Sequence, residues 1–349
     1  MINNLKRIIK HLKTNYKLLI GIIIGVVISG CGVYAATVIA ASSVGYSDNA
    51  SLGATNVQDA IDKLNTKATI KIKEAEAKCP KGYECNKIIL CKRATTLHTE
   101  TCSQTSTSSY CSGDGYTESG SMKTTTITYG NLGTKGVLTS GDAFDCDVNG
   151  DGVYDSGTER FYYVSDMTNG VTQDSNTAVL IYYNNVSGGL PSNSTSYAYD
   201  VNGNAYTNGP ITALAQLPTT RQWKNVSLIN TTRNITDQKN TVRKSAFSYE
   251  GYAARLLTVQ EVISGCGLTV GNSTPGELSS KCKYLMENTK YSSSSLKTEG
   301  EWLESPTASY SNTLDVDAYS RHVTAYYVDD AYNYGVRPAI EVLKSNISY

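Results

Sequence analysis

The pattern of apolar and polar positions divides the chain into three regimes. The first is a run of 24 residues from Leu18 to Ala41 in which no position is charged. As a helix that run spans about 36 Å, enough to cross a hydrocarbon core of about 30 Å. Residues 1–17 hold Lys6, Arg7, Lys10, Lys13 and Lys17 and no acid, and the first acid beyond the run is Asp48. Cations ahead of an apolar span and none directly behind it predict a single-pass membrane segment, N-terminus inside and the rest outside. A retained signal anchor is favoured, because the run is too long for an ordinary signal-peptide core. Cleavage after Val33-Tyr34-Ala35 and lipidation of Cys31, in Ile28-Ser29-Gly30-Cys31, are the alternatives.

The second regime is helical. Residues 42–54 are small and polar and read as a spacer. Thr55-Asn56-Val57-Gln58 then fits a capping box, and Val57, Ile61, Leu64 and Ala68 recur at spacings of 4, 3 and 4. This predicts a helix from 56 to about 67, extending toward Lys78. The stripe suits either a lone helix or a short stalk that assembles a homo-oligomer.

The third regime reads as strands. Runs such as Phe161-Tyr162-Tyr163-Val164 and Ala178-Val179-Leu180-Ile181-Tyr182-Tyr183 lie between Gly and Asn turns, with few helical stretches. The fold class is therefore α+β. The plan is a basic cytoplasmic stub (1–17), a transmembrane helix (18–41), a spacer and helical stalk (42–78), a cysteine-rich neck (79–139) and a head of short antiparallel strands (140–349). The formal net charge is zero, which gives no ground for a nucleic-acid partner. Tyr occurs 26 times and Phe 3 times. Tyr offers wide contact area with a polar tip, which serves either a binding surface or half-exposed strand positions.

Eight cysteines follow the apolar run: Cys79, Cys85, Cys91, Cys102, Cys111, Cys146, Cys266 and Cys282. An even number in an exported chain predicts disulfides. Connectivity is open from sequence; the pairs expected are Cys79–Cys85, Cys102–Cys111, Cys266–Cys282 and Cys91–Cys146. Zinc competes weakly, because the spacings exceed those of usual zinc ligands.

The sharpest chemical motif is Asp147-Val148-Asn149-Gly150-Asp151-Gly152. Oxygen side chains at positions 1, 3 and 5 with Gly at 6 match a calcium loop, in which the glycine permits the turn that lets the ligands converge. Val153 would add its backbone carbonyl and Asp155 would follow at position 9. Thr158 stands where a bidentate acid is expected, so Asp145 and Glu159 are the substitute or outer ligands. The expected ion is structural calcium.

Two further segments carry cap signals: Leu217-Pro218-Thr219-Thr220-Arg221-Gln222-Trp223, with T-x-x-Q, and Arg255-Leu256-Leu257-Thr258-Val259-Gln260-Glu261-Val262, with T-x-x-E. Each predicts a short helix. Together with Trp302-Leu303-Glu304-Ser305-Pro306 and Gly335-Val336-Arg337-Pro338-Ala339-Ile340, they resemble formylglycine-generating-enzyme-type domains and bacterial surface domains with a C-type-lectin-like fold. The resemblance covers roughly residues 140–349. It implies a mixed domain with loop-borne binding sites. The enzyme of that family needs a late reactive cysteine pair, and no cysteine follows Cys282.

No nucleophile elbow, zinc helix or phosphate loop is present. The three histidines, His11, His98 and His322, are scattered. Glu299, Glu301 and Glu304 fit a solvated rim better than a glycosidase pair. The candidate ligand face is Trp302, Tyr319, Tyr326, Tyr327 and Tyr332. The reading is a membrane-anchored extracellular binding or adhesion protein, not an enzyme, whose ligand is a glycan or a protein. An envelope or appendage subunit assembling through the stalk and an exported hydrolase are the alternatives.

Overall fold

A computed structural model describes residues 89–105, 117–119, 122–169, 172–269, 276–292 and 296–349. The expected membrane segment (18–41), the stalk (42–78), Cys79, Cys85 and Cys111 lie outside these residues. The chain divides into two compact units, Met1–Asn86 and Lys87–Tyr349, and every described residue belongs to the second. Among the described residues no helix is long and apolar enough to cross a membrane.

The second unit is rich in strands and poor in helices. In chain order the first nine strands are β1 (Cys91–Arg93), β2 (His98–Thr105), β3 (Thr117–Ser119), β4 (Met122–Tyr129), β5 (Ala143–Cys146), β6 (Arg160–Asn169), β7 (Thr172–Tyr182), β8 (Val186–Ser187) and β9 (Leu190–Pro191). Then come β10 (Thr232–Thr236), β11 (Val242–Ser248), β12 (Gly276–Glu277), β13 (Gly300–Pro306), β14 (Asn312–Asp317), β15 (His322–Tyr327), β16 (Tyr334–Gly335), β17 (Ala339–Leu343) and β18 (Ile347–Ser348). The α-helices are short: α1 (Ala205–Asn208), α2 (Ile211–Leu214) and α3 (Val259–Cys266).

A six-stranded sheet, β17-β7-β6-β5-β1-β18, forms the centre. Its pairs are antiparallel except β1 with β18. Strand periodicity of two explains why its inner strands read as unbroken apolar runs. Phe161 and Tyr163 enter one core cluster with Leu180, Tyr182 and Ile340. Their neighbours Tyr162 and Val164 enter a second cluster with Val179 and Ile181. The sheet is thus covered on both faces. A five-stranded sheet, β12-β15-β14-β13-β16, shares these cores through Trp302 on one side and Leu303, Leu314 and Val316 on the other.

Because β1 pairs inside the central sheet, the cysteine-rich stretch from residue 89 onward is part of the head. The stretch expected as a cysteine-rich neck over 79–139 carries, within its described residues, an interior strand of the central sheet. Cys91–Cys146 fastens β1 to β5, and Cys266–Cys282 fastens the end of α3 to the 3₁₀ turn Ser280–Met286. Both match the expected pairs. Cys102 is also disulfide-bonded.

The T-x-x-E signal produces a full capping box at α3. Thr258 Oγ1 accepts from the Glu261 N–H, and the Glu261 carboxylate accepts from the Thr258 N–H. The T-x-x-Q signal produces only a turn. Gln222 Oε1 does reach back to the Thr219 N–H at 2.9 Å. The chain is then diverted at Asn225, whose amide donates to the Asp147 backbone carbonyl and whose N–H donates to the Val148 carbonyl. Trp223 meanwhile buries its ring against Phe161 and Tyr182. A helix continuing from 219 is incompatible with both anchors.

Strand β13 is buried along its whole length although it reads Gly-Glu-Trp-Leu-Glu-Ser-Pro. Its acids are not a solvated rim. Glu301 lies 3.4 Å from Arg337, and Glu304 lies 3.1 Å from Arg233. Arg233 also reaches Glu341, which bonds Arg255, which grips Glu261. Burial opposes ionisation of Glu341, but Arg255 and Arg233 outweigh it and hold its carboxyl below the ordinary value. The R-L-L-T-x-x-E motif is thereby explained: its Arg and Glu are a buried ion pair, and the same Glu caps the helix.

Asp315 on β14 has no such cation. The Thr324 hydroxyl donates to its Oδ1 at 2.6 Å, while its Oδ2 has no hydrogen-bond partner among the described residues. Burial, with the nearby Asp317 charge, pushes its carboxyl up to about 8 from 3.8. The folded state therefore keeps this proton up to about pH 8, whereas the unfolded chain releases it near pH 4. Its favourable contribution is complete below pH 4 and is lost as pH rises to about 8. Asp315→Asn is expected to stabilise the protein by on the order of 5 kcal/mol at pH 8 and about 1.5 kcal/mol at pH 5. Thermal unfolding of both forms across pH 5–9 checks this; a gap that does not grow with pH contradicts it.

Candidate functional site

The loop from Asp147 to Glu159 is built by its own polar groups. Asp147 Oδ1 accepts from the N–H of Gly150 at 2.9 Å and Asp151 at 3.0 Å, and its Oδ2 accepts from Gly152 at 3.1 Å. Asn149 Oδ1 accepts from the Asp151 N–H, and Asp151 Oδ1 from the Val153 N–H, both at 2.8 Å. Asp155 accepts from the Gly157 N–H and the Thr158 hydroxyl, and those bonds hold its carboxyl below the ordinary value. Glu159 is 3% exposed and folds back over the loop. It accepts from Val148 and Asn149 through Oε1 and from Asp155 through Oε2. Burial raises its carboxyl above the ordinary value and the charges of Asp147 and Asp151 add to that, against the loop N–H groups.

Asp145 stands apart from this set, bonded at 2.8 Å to the buried Arg160. Among the described residues no three His, Cys, Asp or Glu side chains gather as a metal-ion cage. The sequence repeats Asp-Val-Asn-Gly at residues 200–203. There too the aspartate accepts from N–H groups two and four residues on, at 3.1 and 3.0 Å. The pattern is therefore sufficient to make a turn satisfied by its own backbone.

The expected ligand face does not assemble. Trp302 is 1% exposed; its indole N–H donates to the Tyr197 carbonyl and its ring packs on Tyr334. It belongs to the core, as a ring with one satisfied donor does. Tyr326 turns inward beside Tyr334, whereas its strand neighbour Tyr327 is 61% exposed. Tyr332 is 87% exposed. Asp317 pairs with His322, and Asn312 with Tyr327. Tyr319, in the β14–β15 turn, and Tyr327 are therefore at opposite ends of that hairpin, about 17 Å apart along the strand. The tyrosines do not form one patch.

A concave site lies elsewhere. A cleft of about 830 Å³ opens between the 128–142 segment, β6, the end of α3 and the 3₁₀ turn Ser280–Met286. Its walls carry hydroxyls and charges, among them Thr128, Ser140, Asp142, Asp166, Ser264 and Lys281. One wall is pinned by Arg93 of β1. Its guanidinium donates to the carbonyls of Leu132, Thr134 and Val137 and approaches Asp142 at 3.4 Å. Gly133 is required there: its φ is +69° and a Cβ would lie 1.7 Å from Arg93 Nη1. The opposite wall is fixed by Cys266–Cys282, which ties α3 to Ser280–Met286. Gly265 lets α3 approach β6 so closely that a Cβ would sit 2.4 Å from the Val164 carbonyl.

Asp142 is fully buried in this cleft's wall. Its Oδ2 accepts from the Thr139 N–H at 3.0 Å, and its Oδ1 has no partner among the described residues. Neither Asp142 nor Arg93 carries a motif. The only local signal is Ser140-Gly141-Asp142, polar residues directly ahead of the apolar start of β5.

No family model, curated protein or solved structure matches this chain. The site is read on its own chemistry.

Proposed function

We propose that the chain is a membrane-anchored extracellular binding protein, its strand-rich head displayed on the outer side. The observation that carries this reading is the pair of disulfides. They occur within the head, and one of them fixes a wall of its cleft, which suits an oxidising exterior. The cationic stub and the uncharged run of residues 18–41 supply the anchor in this reading. A polar, prearranged cleft of several hundred Å³ favours ligand capture. The lectin-like resemblance belongs to this reading, with Arg255, Glu261 and Arg337 of its motifs acting as structural residues. Protease added to intact cells should remove the head while cytoplasmic markers survive; a head cut only after lysis contradicts the proposal.

Calcium enters the same reading as a structural ion of the 147–159 loop, with Asp147, Asn149, Asp151, the Val153 carbonyl and Asp155 as its ligands and Glu159 as the substitute acid. Its support is the D-x-N-x-D-G spacing of the loop; the charges of Asp147 and Asp151 add to the rise of the Glu159 carboxyl, and among the described residues these groups do not stand as a preformed cage. Calcium at about ten times its Kd should add about 1.4 kcal/mol, or roughly 4 °C in Tm. Asp147→Ala should abolish that gain. Identical melting in calcium and in chelator removes the ion from the reading.

A further inference from the structure

We infer that the cleft between the 128–142 segment, β6, α3 and the Ser280–Met286 turn is an anion site that takes an acidic oligosaccharide. The inference rests on the binding role proposed above. The argument begins with the charge of the cleft, whose two acids already have cations. Asp142 is paired with Arg93 at 3.4 Å, and its Oδ2 also accepts from the Thr139 N–H. Asp166 is paired with Lys344 at 2.6 Å, and the Tyr163 hydroxyl donates to the same Oδ1. Lys281 and Lys283 are further cations of the lining, and Lys135 stands beside the lining residue Thr134. Glu277, three residues ahead of Ser280, faces Arg321 at 3.7 Å. The cations Arg93, Lys135, Lys281, Lys283 and Lys344 thus outnumber the carboxylates Asp142 and Asp166, and they do so with Lys283 left out. A concave, low-dielectric wall concentrates such an excess on whatever enters.

The groups that would meet the ligand are open to it. Thr128, Thr139, Ser264, Ser280 and Lys281 are exposed residues of the lining. Lys281 has no ion-pair partner among the described residues, and its ammonium offers three donors to a ligand carboxylate. Arg93 cannot supply a forked contact, because its guanidinium is already given to the carbonyls of Leu132, Thr134 and Val137. The hydroxyl walls both donate and accept, which matches the ring hydroxyls of a sugar. An acidic peptide would call for a strand edge or apolar side-chain pockets. The apolar side chains of the lining are Leu138, Tyr163 and Val164, and the last two are buried. The volume of about 830 Å³ exceeds what one ring fills and suits a short oligomer. Calcium has no part in this site: the 147–159 loop supplies none of its lining.

The test is calorimetric titration of the full-length chain in mild detergent with three probes: a uronate hexasaccharide, the same hexasaccharide with its carboxyls reduced to alcohols, and hexaglutamate. The uronate is expected to bind about tenfold or more tightly than its reduced form, and to weaken as salt is raised. Lys281→Ala is expected to weaken uronate binding about tenfold, and Lys281→Glu about a hundredfold, both with Tm unchanged because the position is exposed. Equal affinity for the acidic and reduced hexasaccharides overturns the anionic class. Uronate binding that Lys281→Glu leaves intact overturns the site. Binding of hexaglutamate without binding of the uronate overturns the saccharide. Silence of all three probes overturns this inference alone; silence of broad glycan and protein arrays as well overturns the binding role with it.

Discussion

Replacing Arg255 with methionine is expected to destabilise the head by about 3–5 kcal/mol, because it strands buried carboxylates. Arg255 is fully buried and bonds Glu261 through both terminal nitrogens and Glu341 through Nε at 2.7 Å. Glu341 retains Arg233 at 3.3 Å, but Glu261 has Arg255 as its guanidinium partner. The damage does not stop at one ion pair. Glu261 also closes the capping box of α3, and the α3 end supports one wall of the cleft. In a domain of this size the loss corresponds to a fall of on the order of 10 °C in Tm. Arg255→Lys should recover only part of it, since an ammonium cannot make the forked contact. Urea unfolding of the three forms measures the effect; a loss under about 1 kcal/mol for the methionine variant contradicts the account of this network.

Removal of Cys91–Cys146 by paired serine substitutions is expected to cost about 4 kcal/mol. The bridge closes a separation of 55 residues, so the unfolded chain gains much freedom when it is lost. The 16-residue separation of Cys266–Cys282 gives about 3 kcal/mol on the same reasoning. The two losses should differ in kind. Without Cys91–Cys146 the central sheet loses a tie between β1 and β5, and cooperative unfolding should shift to lower urea. Without Cys266–Cys282 the end of α3 loses its tie to the Ser280–Met286 turn, so amide-exchange protection should fall there first. Urea titration with hydrogen exchange on the two double variants separates these outcomes, and equal stability to the parent in both refutes the role given to the bridges.

Legibility followed the physics of each segment. Phe161-Tyr162-Tyr163-Val164 was readable as a strand because β-branched and aromatic residues suit a sheet covered on both faces. The T-x-x-E cap at Thr258 held because its bonds are local. The matching T-x-x-Q at Thr219 stopped after one turn because Asn225 and Trp223 answer to distant partners, the 147–148 loop and Phe161. Glu301 and Glu304 read as rim residues since acids are seldom buried, and their arginines lie far away in sequence. Trp302 could be read as core or as part of a ligand face, with core packing favoured, because a ring's burial depends on which sheet closes over it; the structure places it in the core. The cleft was invisible because Arg93, Asp142, Lys281 and the Cys266–Cys282 bridge meet only in three dimensions.

Display of this head in an oxidising exterior is the premise of the proposed binding role. The decisive measurement is mass tagging of thiols on the full-length protein taken from native cells, acid-quenched and then unfolded in denaturant, with and without reduction, since the four cysteines are buried in the fold. Cys91, Cys146, Cys266 and Cys282 should stay untagged in denaturant alone and become tagged only after reduction. Their tagging in denaturant with no reductant would contradict the account.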